Sequence, residues 1–172
     1  FQMSSTFGLA REPGLTAITQ QLRPESKGSI HLKSADPTTP PAIRYNFLSA
    51  ELDRQVVLAS VRVTRKIVEA SPMDPFRGAE LMPGEPLHDD DEMLDWIMRT
   101  AETTYHPVGT CKMGSDGDPM AVVDSRLRVR GLRGLRVADA SIMPTLTSGN
   151  TNAPSIMIGE KAAAMLLEDA ES

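Results

Sequence analysis

Cysteine occurs once in the 172 residues, at Cys111, so no internal disulfide can form, which fits a reducing compartment. Aromatic residues are scarce, at one Trp, two Tyr and four Phe, and the three histidines are too few for a dedicated metal cluster. Lys and Arg are scattered and the net charge is -5, whereas a phosphate-backbone footprint needs clustered basic residues; nucleic-acid binding is not expected. No apolar run approaches the roughly 20 residues that span a bilayer, and no charged segment followed by an apolar one opens the chain as a secretion signal would. The default expectation is a soluble, cytoplasmic protein with no transmembrane segment, membrane association being left open. Also lacking are G-x-G-x-x-G, the Walker phosphate loop, G-x-S-x-G and C-x-x-C, so nucleotide binding, serine hydrolysis and dithiol chemistry have no anchor. There is no internal repeat and no low-complexity segment.

What is present is ordinary in bulk: 40% apolar and 24% charged residues, with methionine frequent at ten. The length suits one domain with a real core. The opening "FQMSSTFG" lacks an initial methionine and reads as the middle of something: a fragment, a processed chain or one piece of a nicked protein.

Ile18, Gln20 and Leu22 alternate, a Pro-Glu-Ser-Lys-Gly turn follows, and Ile30 and Leu32 alternate again, which predicts a β-hairpin. After the proline-rich "ADPTTPPAI", the period of two in "IRYNFL" puts Ile43, Tyr45 and Phe47 on one face of a third strand. From Ser49, a candidate N-cap, the period lengthens: Leu52, Val56, Ala59, Val63 and Ile67 predict an amphipathic helix. A second helix is expected in "HDDDEMLDWIMRTAETT", burying Met93, Trp96 and Ile97, with its acidic start at the positive end of the helix dipole. Leu127 with Val129 and Leu135 with Val137 fit two short strands around "RGLRG". The last stretch, "GNTNAPSIMIGEKAAAMLLEDA", has Asn and Thr cap candidates, Pro154 near the first helical position and apolar residues almost all round, which predicts a buried helix.

Two acidic stretches are set aside as metal sites. His88 with Asp89, Asp90, Asp91 and Glu92 is a solvated helix cap, because consecutive residues cannot all face one ion. "DGDPMAVVD" lacks the later glycine and glutamate of a calcium loop.

Special residues are densest in "YHPVGTCKMG" and "SGNTNAPSIM". Pro107 pushes His106 toward extended backbone and Gly109 permits a sharp turn, so the imidazole is presented from a rigid segment. Imidazoles titrate near neutrality and are the usual proton acceptors at neutral pH, yet a single histidine at a strand end is more often a satisfied structural group. Asn150 stands before a helix mouth whose free N–H groups and dipole favour negative charge; on its own it is also a capping asparagine.

Three signatures in order, "HPVGTCKMG", "DPMAVVDSRLRVRGLRGLRVADASIMP" and "GNTNAPSIMIGEKAA", resemble the C-terminal part of the glucose-methanol-choline (GMC) oxidoreductases, of the choline and alcohol dehydrogenase type. The resemblance covers nearly the whole chain and is dense from His106 to Ala164. It implies an FAD enzyme that oxidises an alcohol to an aldehyde or ketone. On that analogy His106 is the catalytic base, and Asn150, 44 positions on, matches a family position held by histidine or asparagine that bonds the substrate oxygen. The same analogy puts Tyr105, Asp139, Ala140, Thr151, Asn152 and Ala153 against the cofactor, with Asp139 accepting from the ribityl chain and the Asn152 and Ala153 N–H groups facing the flavin N1 and C2 carbonyl. Read without it, Asp139 is a strand-end turn former.

The implied fold class is α+β: an antiparallel sheet with flanking helices as part of a substrate domain, plus strands and a C-terminal helix that complete an FAD-binding α/β domain. Residues 1–104 fall to the substrate-binding part and 105–172 to the active-site segment returning to the flavin domain. The family's glycine-rich phosphate turn is lacking, so the expected partner is an N-terminal FAD-binding segment, from the same protein or a partner chain. The implied substrate is a small alcohol. "CKMG" and "DPMAVVD" look like choline-oxidising relatives, but a quaternary ammonium needs aromatic faces or carboxylates, and the reading stays at an unspecified primary alcohol. The electron acceptor, oxygen or a quinone-like carrier, is left open. The competing reading is a non-catalytic separated module that binds or assembles without flavin chemistry.

Overall fold

A computed structural model describes residues 13–84, 87 and 89–171. Among them the architecture is α+β: β1 (Ser29–His31), β2 (Ala42–Arg44), α1 (Glu51–Val68), α2 (Asp90–Thr100) and α3 (Asn152–Ala170), with two short 3-10 turns at Ser71–Met73 and Ala140–Ile142. The chain divides into two compact units. One holds Phe47–Glu102 with the segment ending at Gln21, the other Leu22–Asn46 with the segment from Thr103 onward.

In the first unit, α1 and α2 form where the apolar period lengthens. Ser49 is not the N-cap of α1: Ala50 is, without a side-chain cap, and Glu51 in the first turn accepts from Arg54 Nη2 at 2.7 Å. The period located the helix but not its covered side. Leu52, Val63 and Ile67 of the expected stripe are exposed, while Leu58 and Val61 line a shallow recess with Met93 of α2. Arg65 reaches over to Glu80 at 2.9 Å and to the Leu87 carbonyl. At α2 the acidic start works as expected, Asp89 accepting from the Asp91 and Glu92 N–H groups at 2.9 and 3.2 Å. Met93 and Ile97 are buried and Trp96 half-buried. His88 lies outside the described residues.

In the second unit, β1 pairs antiparallel with β2, Ile30 opposite Ile43. The expected hairpin partner, residues 18–22, forms no strand: the turn after Leu22 leads to β1 but joins no ladder, and pairing passes over the proline-rich loop to "AIR" instead. β2 also ends sooner than its alternation suggests. Asn46 and Leu48 take left-handed φ of 58° and 54°, and the Asn46 side chain donates to the Lys27 carbonyl at 3.0 Å, so Tyr45 and Phe47 fall outside the strand.

The core of this unit is Val123, Leu127, Ile142, Met143, Ile158 and Ala162, with Val108, Met113, Val137 and Met165 packed around it. Segment 111–114 is held between two others: Cys111 and Met113 N–H donate to Ser141 and Ile142 carbonyls at 3.0 and 2.7 Å, and Val122 N–H to Lys112 O at 2.9 Å. The strands expected at 127–129 and 135–137 reduce to isolated antiparallel bridges, Arg128 with Arg136 and Val129 with Val123. The cause is a turn organised by Asp124, whose Oδ1 accepts from Arg126 and Arg128 N–H at 2.8 and 2.9 Å and which puts buried Leu127 at φ 64°.

α3 departs most from expectation. Only Ile158 and Ala162 are buried, and Ile156, Met157, Leu166 and Leu167 are 53–67% exposed, so within this chain α3 is not a buried helix. Its last turn is tied down electrostatically. Asp169 gathers Arg126 at 2.8 Å, Arg128 at 2.6 Å and Arg136. These guanidinium donors, Arg128 first, hold the Asp169 carboxyl down to about 2 from an ordinary 3.8.

Candidate active site

The segment before His106 turns on two unusual residues. Tyr105 takes φ 60°, a left-handed conformation that costs an aromatic residue roughly 1 kcal/mol, and its N–H donates to Thr103 Oγ1 at 3.1 Å. Gly109 takes φ 89°, and a Cβ there would stand 3.4 Å from the Met143 carbonyl. Between them Val108 packs on the core, which anchors the backbone two residues from the imidazole. His106 is half-buried.

The opposing loop ends at α3. Ser148 takes φ 57° and accepts from Arg23 Nε, which fixes the turn before Asn150. Thr151, 9% exposed, is the residue preceding the first helical one, yet its hydroxyl caps no N–H of α3. The hydroxyl instead meets His106 Nδ1 at 2.9 Å. The two stretches with the densest special residues are thus joined across 45 positions. Ile158 and Ala162 of α3 share the core on which Val108 packs, and this burial brings helix and histidine loop together.

The mouth of α3 carries no acidic residue in its first turn and no side-chain cap. Its helical bonding begins with Ser155 N–H donating to Thr151 O at 3.0 Å, Pro154 has no N–H, and Asn152 and Ala153 are exposed. Two N–H donors at the positive end of a 19-residue helix are therefore turned outward without an anionic side chain, which fits an acceptor that gains negative charge. Asn150 is exposed beside them. Asp139 uses Oδ1 to accept from Ser141 N–H at 2.8 Å, capping the 3-10 turn that starts at Ala140. Its turn-forming role is thus real, and Oδ2 bonds none of the described residues. Among the described residues no group of three or more His, Cys, Asp or Glu could hold a metal, and no helix is long and apolar enough to cross a membrane.

Residues 24–159 match the family described as GMC oxidoreductase, and the chain belongs to that family, in its C-terminal domain. It is 48% identical over 158 residues to an oxygen-dependent choline dehydrogenase of Brucella melitensis biotype 1, which covers 92% of this chain and 29% of that protein. Pyridoxine 4-oxidase from Mesorbium loti superposes with a TM-score of 0.77 at 37% identity, covering 83% of this chain and 28% of that one. An FAD-dependent oxidoreductase from Chaetomium thermophilum does so with a TM-score of 0.79 at 30% identity, over 87% and 26%. The chain therefore spans under a third of the length of the relatives it matches.

The sequence pointed to both stretches, but the bond between His106 and Thr151 carried no signal of its own. A threonine just before a helix reads as a cap, and only its lack of capping geometry reveals that the hydroxyl is engaged elsewhere.

Proposed function

We propose that this chain is the catalytic C-terminal part of an FAD-dependent oxidoreductase acting on the CH–OH group of a small alcohol. In this reading residues 1–104 belong to the substrate domain and 105–172 to the segment completing the flavin domain, the rest coming from an N-terminal FAD-binding segment. The cofactor is FAD, as in the Chaetomium thermophilum relative, and when bound it supplies the acceptor for a hydride from the alcohol carbon.

This chain's residues do the rest. His106 takes the hydroxyl proton as general base, an effect typically worth about 10²–10⁴ in rate. Asn150 donates a side-chain N–H to the substrate oxygen. Asn152 and Ala153 would present their N–H groups to the bound cofactor, where they would stabilise negative charge as an oxyanion hole does. Tyr105, Asp139, Ala140 and Thr151 flank the same site. The observation that carries the reading is the bond between His106 Nδ1 and Thr151 Oγ1, which sets the imidazole one residue from Asn150 and at the uncapped mouth of α3.

Similarity to choline dehydrogenase makes choline the first alcohol to try, beside an uncharged primary alcohol. The test uses the full-length protein with bound flavin, mixed anaerobically with each alcohol while oxidised-flavin absorbance is followed. Bleaching by an alcohol, lost in His106→Asn with flavin content kept, is the expected result. Equal bleaching by that variant removes the base, and no flavin in the purified full-length protein returns the reading to a non-catalytic module.

A further inference from the structure

Thr151 holds the residue position from which a threonine hydroxyl ordinarily caps a helix, a contact worth about 1 kcal/mol. Here its backbone is at φ -80° and ψ -1°, outside the extended capping conformation, and no side-chain cap forms. The hydroxyl lies 2.9 Å from His106 Nδ1, and Thr151 is buried. Its backbone is fixed independently, the Thr151 carbonyl accepting from both Ser155 N–H at 3.0 Å and Ser155 Oγ at 2.7 Å. A buried hydroxyl on a doubly anchored backbone has little freedom to move away from the ring.

We propose that Thr151 is the positioning residue of the base: its Oγ1 accepts from Nδ1–H and thereby leaves Nε2 bare for the alcohol proton. The inference rests on His106 being the base. Neutral imidazole carries one N–H, and the partner of one nitrogen decides which nitrogen stays bare. A ring protonated on Nε2 alone is no base from that nitrogen. When the alcohol O–H bond breaks, its proton bonds to Nε2 and the electron pair left on oxygen forms the carbonyl; bound FAD would take up the hydride leaving the carbon. The ring then carries N–H on both nitrogens, and Nδ1–H still needs an acceptor. A hydroxyl oxygen accepting at Nδ1 serves both states, and the bond becomes charge-assisted in the second.

The test is made on full-length holoenzyme. Imidazole ¹⁵N shifts, with His106 identified by its loss in His106→Asn, are expected to report a proton on Nδ1 in the resting enzyme. Thr151→Val is expected to lower kcat about 10- to 100-fold with KM for the alcohol changed far less, and to mix the two tautomers. Thr151→Ser, which keeps the hydroxyl, is expected to restore both kcat and the Nδ1 signal. A resting ring protonated on Nε2, an unchanged kcat in Thr151→Val, or a Thr151→Ser as slow as the valine variant overturns the proposal. If Thr151→Val does not fold, the spectrum of the unsubstituted enzyme and the serine variant still decide. Full activity in His106→Asn would sink the base itself, an outcome the Thr151 variants cannot imitate.

Discussion

Thr151 Oγ1 lies 2.9 Å from His106 Nδ1, and this bond spans 45 positions of sequence. It joins the start of α3 to the loop between Tyr105 and Gly109, so the geometry of the imidazole is set from two sides. Under the proposed function, in which His106 is the base, substitutions on either side should then affect proton removal without removing the cofactor.

For His106 itself, replacement by Asn is expected to lower kcat for the alcohol by about 10²–10⁴ while the flavin remains bound. Rapid-mixing measurement of flavin bleaching, beside a flavin-to-protein ratio, checks this.

Asn150 is exposed at the mouth of α3, and under the proposed function its amide bonds the substrate oxygen. Asn150→Ala should reduce kcat/KM by about 10- to 100-fold, the range of one hydrogen bond to a group bearing charge. If the resemblance holds at this position, where it implies histidine or asparagine, Asn150→His should keep well over the activity of the alanine variant. Steady-state kinetics with one alcohol compares the three proteins.

The acid limit of folding should be governed in part by Asp169. Its folded carboxyl is held at about 2 against an ordinary 3.8, through Arg128 first and Arg136 and Arg126 after it. A depressed carboxylate contributes its full stabilisation above pH 3.8 and loses it as pH falls toward about 2. Asp169→Asn should therefore be less stable at neutral pH and show a smaller further loss between those limits. Thermal unfolding followed across that pH range measures the difference.

Gly114 lies where a side chain has no room. A Cβ there would stand 2.8 Å from both Ala121 Cβ and Asp118 Oδ2, and Asp118 is already held by Lys112 Nζ at 2.6 Å, which lowers its carboxyl pKa. Gly114→Ala should destabilise the second unit by about 1–3 kcal/mol, the usual cost of overpacking. Denaturant unfolding of the variant, with the alcohol reaction recorded in parallel, tests whether the effect is on folding and not on chemistry.

How far the fold could be read beforehand depended on where its causes lie. α1 and α2 were legible because a period of three to four and an acidic first turn act within the helix itself. Ser49 was misread as the cap because serine is the better capping residue, whereas the helix begins one residue later behind an uncapped Ala50. The strand pairing was misassigned because alternation describes a face, whereas partners are chosen across the chain: residues 18–22 alternate well yet form no strand, and the "AIR" segment pairs with β1 instead. Asn46, Leu48 and Leu127 end or replace strands through left-handed backbone, for which a leucine gives no warning. At the site, His106, Asn150 and the helix mouth stood out by residue type and by resemblance to the family. The bond from Thr151 to His106 did not, because a hydroxyl's choice between a cap and an imidazole is made only in three dimensions.

The bare flank of α3 has a practical meaning for anyone handling this stretch by itself. Ile156, Met157, Leu166 and Leu167 turn greasy surface to water along a helix of 19 residues. Produced in isolation, such a ridge should drive self-association and brighten an environment-sensitive dye. Expression together with the N-terminal FAD-binding segment of the proposed function should quench that glow, making fluorescence a simple gauge of whether the two parts have met.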